Sequence, residues 1–204
     1  MLRVGLTGSI AVGKSYVCSV LAENGCHVLD ADSVAREVVK AGSAGLESIV
    51  KHFGPNVLDE TGGLDRSKLG AIVFSDPAKR QLLNSIVHPL VINAQDLWLS
   101  EMEKGSRDGI AVIDAALMIE SGGYKRFDKL IVVWCRPDIQ LNRLMLRDGL
   151  SEIEARKRID AQMPQEEKKS YADFLIDTSG EKEETRAQTL DILRELRSLE
   201  LYGD

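Results

Sequence analysis

The chain has 204 residues, 44% of them apolar and 28% charged, the mixture of an ordinary folded domain and far from disordered, collagen-like or low-complexity composition. A net charge of −6 argues against wholesale binding of a polyanion such as nucleic acid, so any anion site is local. The longest unbroken apolar run, Leu130–Cys135, is six residues, against the roughly 20 that a membrane-spanning helix needs, and no bilayer contact is expected.

In chain order, Arg3–Leu6 reads as a short strand and residues 8–13 as a glycine loop. Ser15–Asn24 reads as a helix carrying Val17, Val20 and Leu21, and Gly25 stops it before a second strand, Cys26–Leu29. Such a unit implies parallel strands joined by a right-handed crossover. Ser33–Lys40 and most of Ala44–Lys104 have helical patterns. Turns are marked by Gly54-Pro55 and Thr61-Gly62-Gly63, Asp76 caps a helix beginning at Pro77, and His88-Pro89 precedes a long helix over Leu90–Lys104.

Buried strands are expected at Ile110–Ile113, Leu130–Trp134 and Phe174–Ile176. Helices are expected at Ile139–Asp148, from a capping box of Ser151 and Glu154 through Gln162 until Pro164 breaks the pattern, and near Glu183–Leu199. About five strands alternating with helices point to a layered α/β fold with helices on both sheet faces. The region between Asp32 and Ile110 is too long for one crossover and reads as an inserted helical subdomain. The expected organisation is one domain over 1–204, with a core of about 1–31, 108–142 and 171–204, the subdomain at about 32–107 and a lid at about 143–170.

The three cysteines, Cys18, Cys26 and Cys135, are odd in number and form no C-x-x-C pair, so they read as small apolar residues in a reducing compartment. Gly5, Gly8, Gly13 and Lys14 interrupt the apolar stretch a signal peptide needs, and a cytoplasmic location is expected. Seven basic residues, Arg143, Arg147, Arg156, Lys157, Arg158, Lys168 and Lys169, crowd the lid segment. Interspersed acids also allow a merely solvated helical surface.

Gly8-Ser9-Ile10-Ala11-Val12-Gly13-Lys14-Ser15 matches G-x-x-x-x-G-K-[ST] between an expected strand and an expected helix. Glycines permit close backbone approach, successive N–H groups form a nest, and the helix N-terminus adds partial positive charge. Lys14 supplies a full charge near the β and γ phosphates, and the Ser15 hydroxyl suits Mg²⁺. A bare glycine turn capped by Ser15 would leave Lys14 unexplained. No N-K-x-D motif is present and Asp114 is followed by Ala115-Ala116-Leu117 rather than a D-x-x-G switch, which disfavours a GTPase.

Asp30 and Asp32 end the second strand; one of them can cap the following helix, and the other is free to orient an acceptor hydroxyl and take its proton. Asp114, the polar end of an apolar strand, is a candidate for Mg²⁺, directly or through water. Glu120 either contacts substrate or is simply exposed. Arg143 and Arg147, four apart on one helix face, are placed to close over a transferring phosphoryl and keep water from the donor. His88 taken alone reads as structural more readily than catalytic.

With these pieces the chain resembles the dephospho-CoA kinase family over essentially its whole length. The landmarks are Leu6-Thr7-Gly8 through Ser15, Asp30-Ala31-Asp32 with Ala35-Arg36, His88-Pro89-Leu90-Val91, Asp114 through Leu117 to Glu120-Ser121-Gly122, Gln140-Leu141-x-Arg143-Leu144, Arg147 through Ser151, Ala161-Gln162-Met163-Pro164, and Ala172-Asp173 followed by Ile176-Asp177-x-Ser179-Gly180. The resemblance implies a P-loop kinase fold with five parallel strands, a helical CoA-binding subdomain and a lid. It also implies transfer of the ATP γ-phosphate to the ribose 3′-hydroxyl of dephospho-CoA, the last step of CoA synthesis, with Mg²⁺.

By the same resemblance Gly8, Ala11, Val12, Gly13, Lys14, Ser15, Tyr16 and Arg147 serve ATP, Ser15 and Asp114 the metal, and Lys14, Asp32 and Arg143 the chemistry. Asp32, Arg36, His88, Asp114, Leu117 and Glu120 line or support the acceptor site. A nucleoside or nucleotide kinase of similar architecture and a nucleotide-binding regulator without transfer activity are the alternatives. The chain departs from the family pattern at Ala11-Val12, where Gly-Ser is common, and at Tyr16, Ala116 and Thr178, where Thr, Pro and Asn are common. The oligomeric state is not fixed by the sequence.

Overall fold

The computed structural model describes residues 1–105 and 109–202. Five strands, β1 (Leu2–Thr7), β2 (His27–Asp30), β3 (Ile110–Asp114), β4 (Lys129–Trp134) and β5 (Phe174–Asp177), form one sheet in the order β2-β3-β1-β4-β5. The β1–β3, β1–β4 and β4–β5 pairings are parallel, as continuous apolar strands covered on both faces require. The expected fold class, a layered α/β fold with a parallel five-stranded sheet, is the one observed.

The chain divides into two compact units, one of Met1–Leu29 with Met102–Asp204, the other Asp30–Glu101. The subdomain boundary expected at 107/108 lies outside the described residues. In the first unit, α1 (Lys14–Glu23) and α9 (Lys182–Tyr202) pack on the sheet, and Val17, Leu21, Leu193 and Leu196 join Val4, Leu6, Val112, Ile131 and Ile176 in one buried core. Helices α6 (Pro137–Asp148), α7 (Glu152–Asp160) and α8 (Gln165–Lys169) fill the segment between β4 and β5. The Ser151–Glu154 capping box is present, and α7 stops at Asp160, short of the expected Gln162.

The second unit is helical. The helices α2 (Ala31–Glu37), α3 (Ala44–Phe53), α4 (Arg66–Ser75) and most of α5 (Pro77–Gly105) enclose a core of Val39, Ile49, Val57 and Leu69. Asp76 caps α5 through the amides of Ala78 and Lys79. One expectation fails here: Pro89 does not open a helix but lies inside α5, which runs unbroken from Pro77. A proline ring forfeits a single ladder hydrogen bond, and the turns on either side are continuous enough to carry it.

Candidate functional site

The site begins where β1 runs out. The β1–β3 register sets Leu6 opposite Asp114, so the polar tip of β3 stands beside the start of the glycine loop. This is the carboxyl edge of a parallel sheet, where the outward-running loops leave room for a ligand. Gly8 is required by contact: a Cβ there would lie 2.3 Å from the Val133 carbonyl oxygen. Gly13, at φ 90°, turns the chain into α1, and Ala11 holds the same left-handed region at φ 62° despite its methyl.

Hydrogen bonds from α6 and from the segment between α7 and α8 hold this loop. Ile10 N–H donates to Gln162 Oε1 at 2.8 Å, and Gln140 Nε2 donates to the Ile10 carbonyl at 2.8 Å. Gln165 donates in turn to Gln140 Oε1 at 2.7 Å and accepts from the Cys135 amide at 3.0 Å. Both peptide groups preceding Ala11 are therefore fixed before the chain enters its left-handed turn. Further along, the Thr178 hydroxyl donates to the Val12 carbonyl at 2.6 Å.

Lys14 Nζ lies 3.8 Å from Asp114 Oδ1, with both side chains largely buried. The Ser15 side chain is exposed at the first turn of α1, and Tyr16 Oη donates to the Lys182 carbonyl. A hydroxyl and a carboxylate are hard oxygen donors of the kind Mg²⁺ takes, so Ser15 and Asp114 would suit that ion. No group of three or more His, Cys, Asp or Glu side chains gathers into a metal site among the described residues.

Arg143 is tied down rather than loose: its guanidinium donates to Thr178 Oγ1 at 3.0 Å and to the Thr178 carbonyl at 2.7 Å. It is thus one bond removed from the Val12 carbonyl. Burial pushes the neighbouring Cys135 thiol up, against the pull of the Arg143 charge. Arg147 instead pairs with Asp148, whose other oxygen takes Arg158 of α7, and the Arg147 hydrogen bond holds the Asp148 carboxyl below its usual range.

On the other flank, Glu120 accepts from Lys168 Nζ at 2.8 Å and from the Met163 amide at 3.3 Å. Lys168 also donates to the Ala116 carbonyl at 2.8 Å, and its side chain is only 1% exposed. Burial draws the Lys168 ammonium below its usual range, opposed by Glu120 and reinforced by the charge of Lys14. Sequence reasoning counted Lys168 only as one of a basic run; its burial is what separates it from the others. Leu117, in the same loop, is 53% exposed.

The remaining candidates belong to the second unit. Asp30 is the cap, its Oδ1 accepting from the Asp32 amide at 2.9 Å, so α2 starts at Ala31 and not at Ser33 as expected. Asp32 is exposed, and no hydrogen bond or ion pair engages its carboxylate among the described residues. Arg36 and His88 are exposed on α2 and α5.

A family model described as dephospho-CoA kinase matches residues 2–184. The chain belongs to the dephospho-CoA kinase family. Among relatives, the dephospho-CoA kinase of Geobacillus kaustophilus (strain HTA426) is 47% identical over 201 residues, covering 98% of each chain. A crystal structure from Thermus thermophilus superposes with a TM-score of 0.81 at 32% identity, covering 96% of this chain and 97% of that one. The dephospho-CoA kinase of Campylobacter jejuni superposes with a TM-score of 0.71 at 28% identity, with the same coverage. Membership fits the glycine loop and the parallel sheet. No helix among the described residues is long and apolar enough to cross a membrane.

Proposed function

We propose that the chain phosphorylates the 3′-hydroxyl of the dephospho-CoA ribose with ATP, giving CoA and ADP. The observation that carries this reading is Lys14, at the end of a G-x-x-x-x-G-K-S loop, set 3.8 Å from Asp114 in a chain that belongs to the dephospho-CoA kinase family throughout residues 2–184. The amides of the loop from Ala11 to Ser15, with Gly8 and Gly13 permitting the turn and Val12 and Tyr16 flanking it, hold the ATP phosphates. Lys14 follows the charge that develops as the bridge to the γ-phosphorus lengthens. Asp32 accepts the 3′-hydroxyl proton as the new P–O bond forms and ADP departs.

Arg143 and Arg147 complete the neutralisation of the phosphoryl group, and Arg36, His88, Leu117 and Glu120 serve the acceptor. Ser15 and Asp114 would hold Mg²⁺, which would supply charge neutralisation to the phosphates. Cys18, Cys26 and Cys135 form no disulfide, which suits work in a reducing cytoplasm.

The test is incubation of the protein with ATP and dephospho-CoA, following CoA by mass spectrometry and ADP by a coupled assay. CoA and ADP should appear in equal amounts. ADP released with a nucleoside monophosphate but not with dephospho-CoA refutes the reading.

A further inference from the structure

Lys168 is the largest fully buried side chain among the described residues, and none of the chemistry described so far uses it. An ammonium removed from water is costly unless its hydrogen bonds are replaced. The replacements here are specific: Glu120 Oε1 and the Ala116 carbonyl oxygen, each at 2.8 Å. Both belong to the turn that follows β3, which begins immediately after Asp114.

That turn has backbone bonds of its own, from Ser121 N–H to the Leu117 carbonyl and from Gly122 N–H to the Ile119 carbonyl, but neither engages the Ala116 carbonyl. Ala116 stands where a proline would fix φ, so its peptide depends on what its carbonyl meets. Two groups meet it. Thr7 Oγ1 donates to Ala115 O at 2.8 Å and approaches Ala116 O at 3.3 Å, and Lys168 donates to Ala116 O from α8. Leu117 is therefore flanked by a carbonyl pinned on one side and, at Glu120, a carboxylate pinned on the other by Lys168 and the Met163 amide.

The segment from Gln162 to Lys168 makes contacts in two directions. Its first residue accepts from the Ile10 amide of the glycine loop, Gln165 leads through Gln140 to the Ile10 carbonyl, and its last residue holds the turn after β3. One seven-residue strap thus touches both the loop proposed for the donor and the turn proposed for the acceptor. Within it the glutamines serve the first and Lys168 serves the second.

We propose that Lys168 is a positioning residue for the acceptor: its ammonium, bonded to Glu120 and to the Ala116 carbonyl, sets the 115–120 turn so that Leu117 and Glu120 meet dephospho-CoA in a fixed place. The proposal rests on the acceptor reading of those two residues. It makes no demand on ATP, whose loop is held by the glutamine bonds.

The experiment measures Lys168→Met in the full chain, with kcat and KM for dephospho-CoA, and separately the Kd of a nonhydrolysable ATP analogue by titration. The KM for dephospho-CoA should rise about 10-fold or more and kcat/KM fall about 30- to 100-fold, while the analogue Kd stays within about 3-fold of wild type. Adding Glu120→Gln should lose no more than Lys168→Met alone, because the two act as a unit. Lys168→Gln, which keeps a donor for the carbonyl, stands in if the methionine variant does not fold and must give the same split.

Parallel losses in acceptor KM and analogue Kd, multiplied losses in the double variant, unmoved acceptor kinetics, or failure of both single variants to fold each overturn the positioning role. A wild-type protein that does not turn over dephospho-CoA refutes the activity itself and the proposal with it. Intact wild-type turnover with any of the preceding outcomes refutes the role of Lys168 alone.

Discussion

Ala11 offers the sharpest test of the loop, because substituting it should stabilise the protein. It is the one non-glycine residue with positive φ among those described, at 62°. The left-handed region costs an L-residue roughly 1–2 kcal/mol, from the crowding of Cβ against the following carbonyl oxygen. Ala11→Gly removes that cost and returns part of it, since a glycine gives the unfolded chain about 0.4–1 kcal/mol more conformational entropy to lose. The difference favours glycine by about 0.5–1 kcal/mol, which in a chain of this size raises Tm by about 1–4 °C.

Differential scanning calorimetry and urea unfolding, at saturating and zero ATP analogue, measure it. Because Gln140 and Gln162 clamp the preceding peptides, the loop keeps its path and the KM for ATP should stay within about 3-fold. A Tm equal to or below that of wild type would show that the left-handed turn is unstrained, or that the methyl contributes packing the geometry does not reveal.

Thr178→Val keeps the side chain's outline but strips the hydroxyl, leaving the Val12 carbonyl and one Arg143 N–H without their partner; stability should fall about 1–3 kcal/mol in urea unfolding, with the KM for ATP raised. Unchanged stability would mean the hydroxyl is dispensable. Asp32→Asn should lower turnover about 10²- to 10⁴-fold with ATP-analogue affinity near wild type, and full turnover would remove Asp32 as base. The Cys26 thiol is pushed up to about 11 by burial, so stability tied to its proton is full below pH 9 and declines as pH rises toward 11. At pH 8 only about one thiol in a thousand is ionised there, and a thiol reagent should leave Cys26 unlabelled in the native protein; stoichiometric labelling at the rate of a free thiol would contradict its burial.

The sheet was legible because parallel central strands must be apolar on both faces: Ile110–Ile113 and Leu130–Trp134 stand out as unbroken runs. The glycine loop was legible because its spacing has few other uses. What escaped notice depends on neighbours far along the chain. Pro89 reads as a helix start by its own chemistry, yet α5 runs through it. Which of Asp30 and Asp32 caps α2 turned on a two-residue difference in where the helix begins. Lys168 sits in a run of charges where local pattern favours a solvated surface, and only the fold brings Glu120 and Ala116 to it. Gln140 and Gln162 stood among the family landmarks without an assigned task, and Gln165 was not singled out at all, since a glutamine's partners are set by tertiary geometry that no spacing encodes.

The central position of β1 in the sheet has a bearing on how the protein comes to be folded. Its partners begin at Ile110 and Lys129, so neither edge of the first strand can be satisfied by anything nearby in the chain. Closing loops of that length precedes any reward from pairing, which makes assembly slow and leaves an apolar ribbon with bare amides in the meantime. Refolding yield should therefore decline steeply with protein concentration, and a holding chaperone would act first on the opening residues, the very strand that later carries the donor loop.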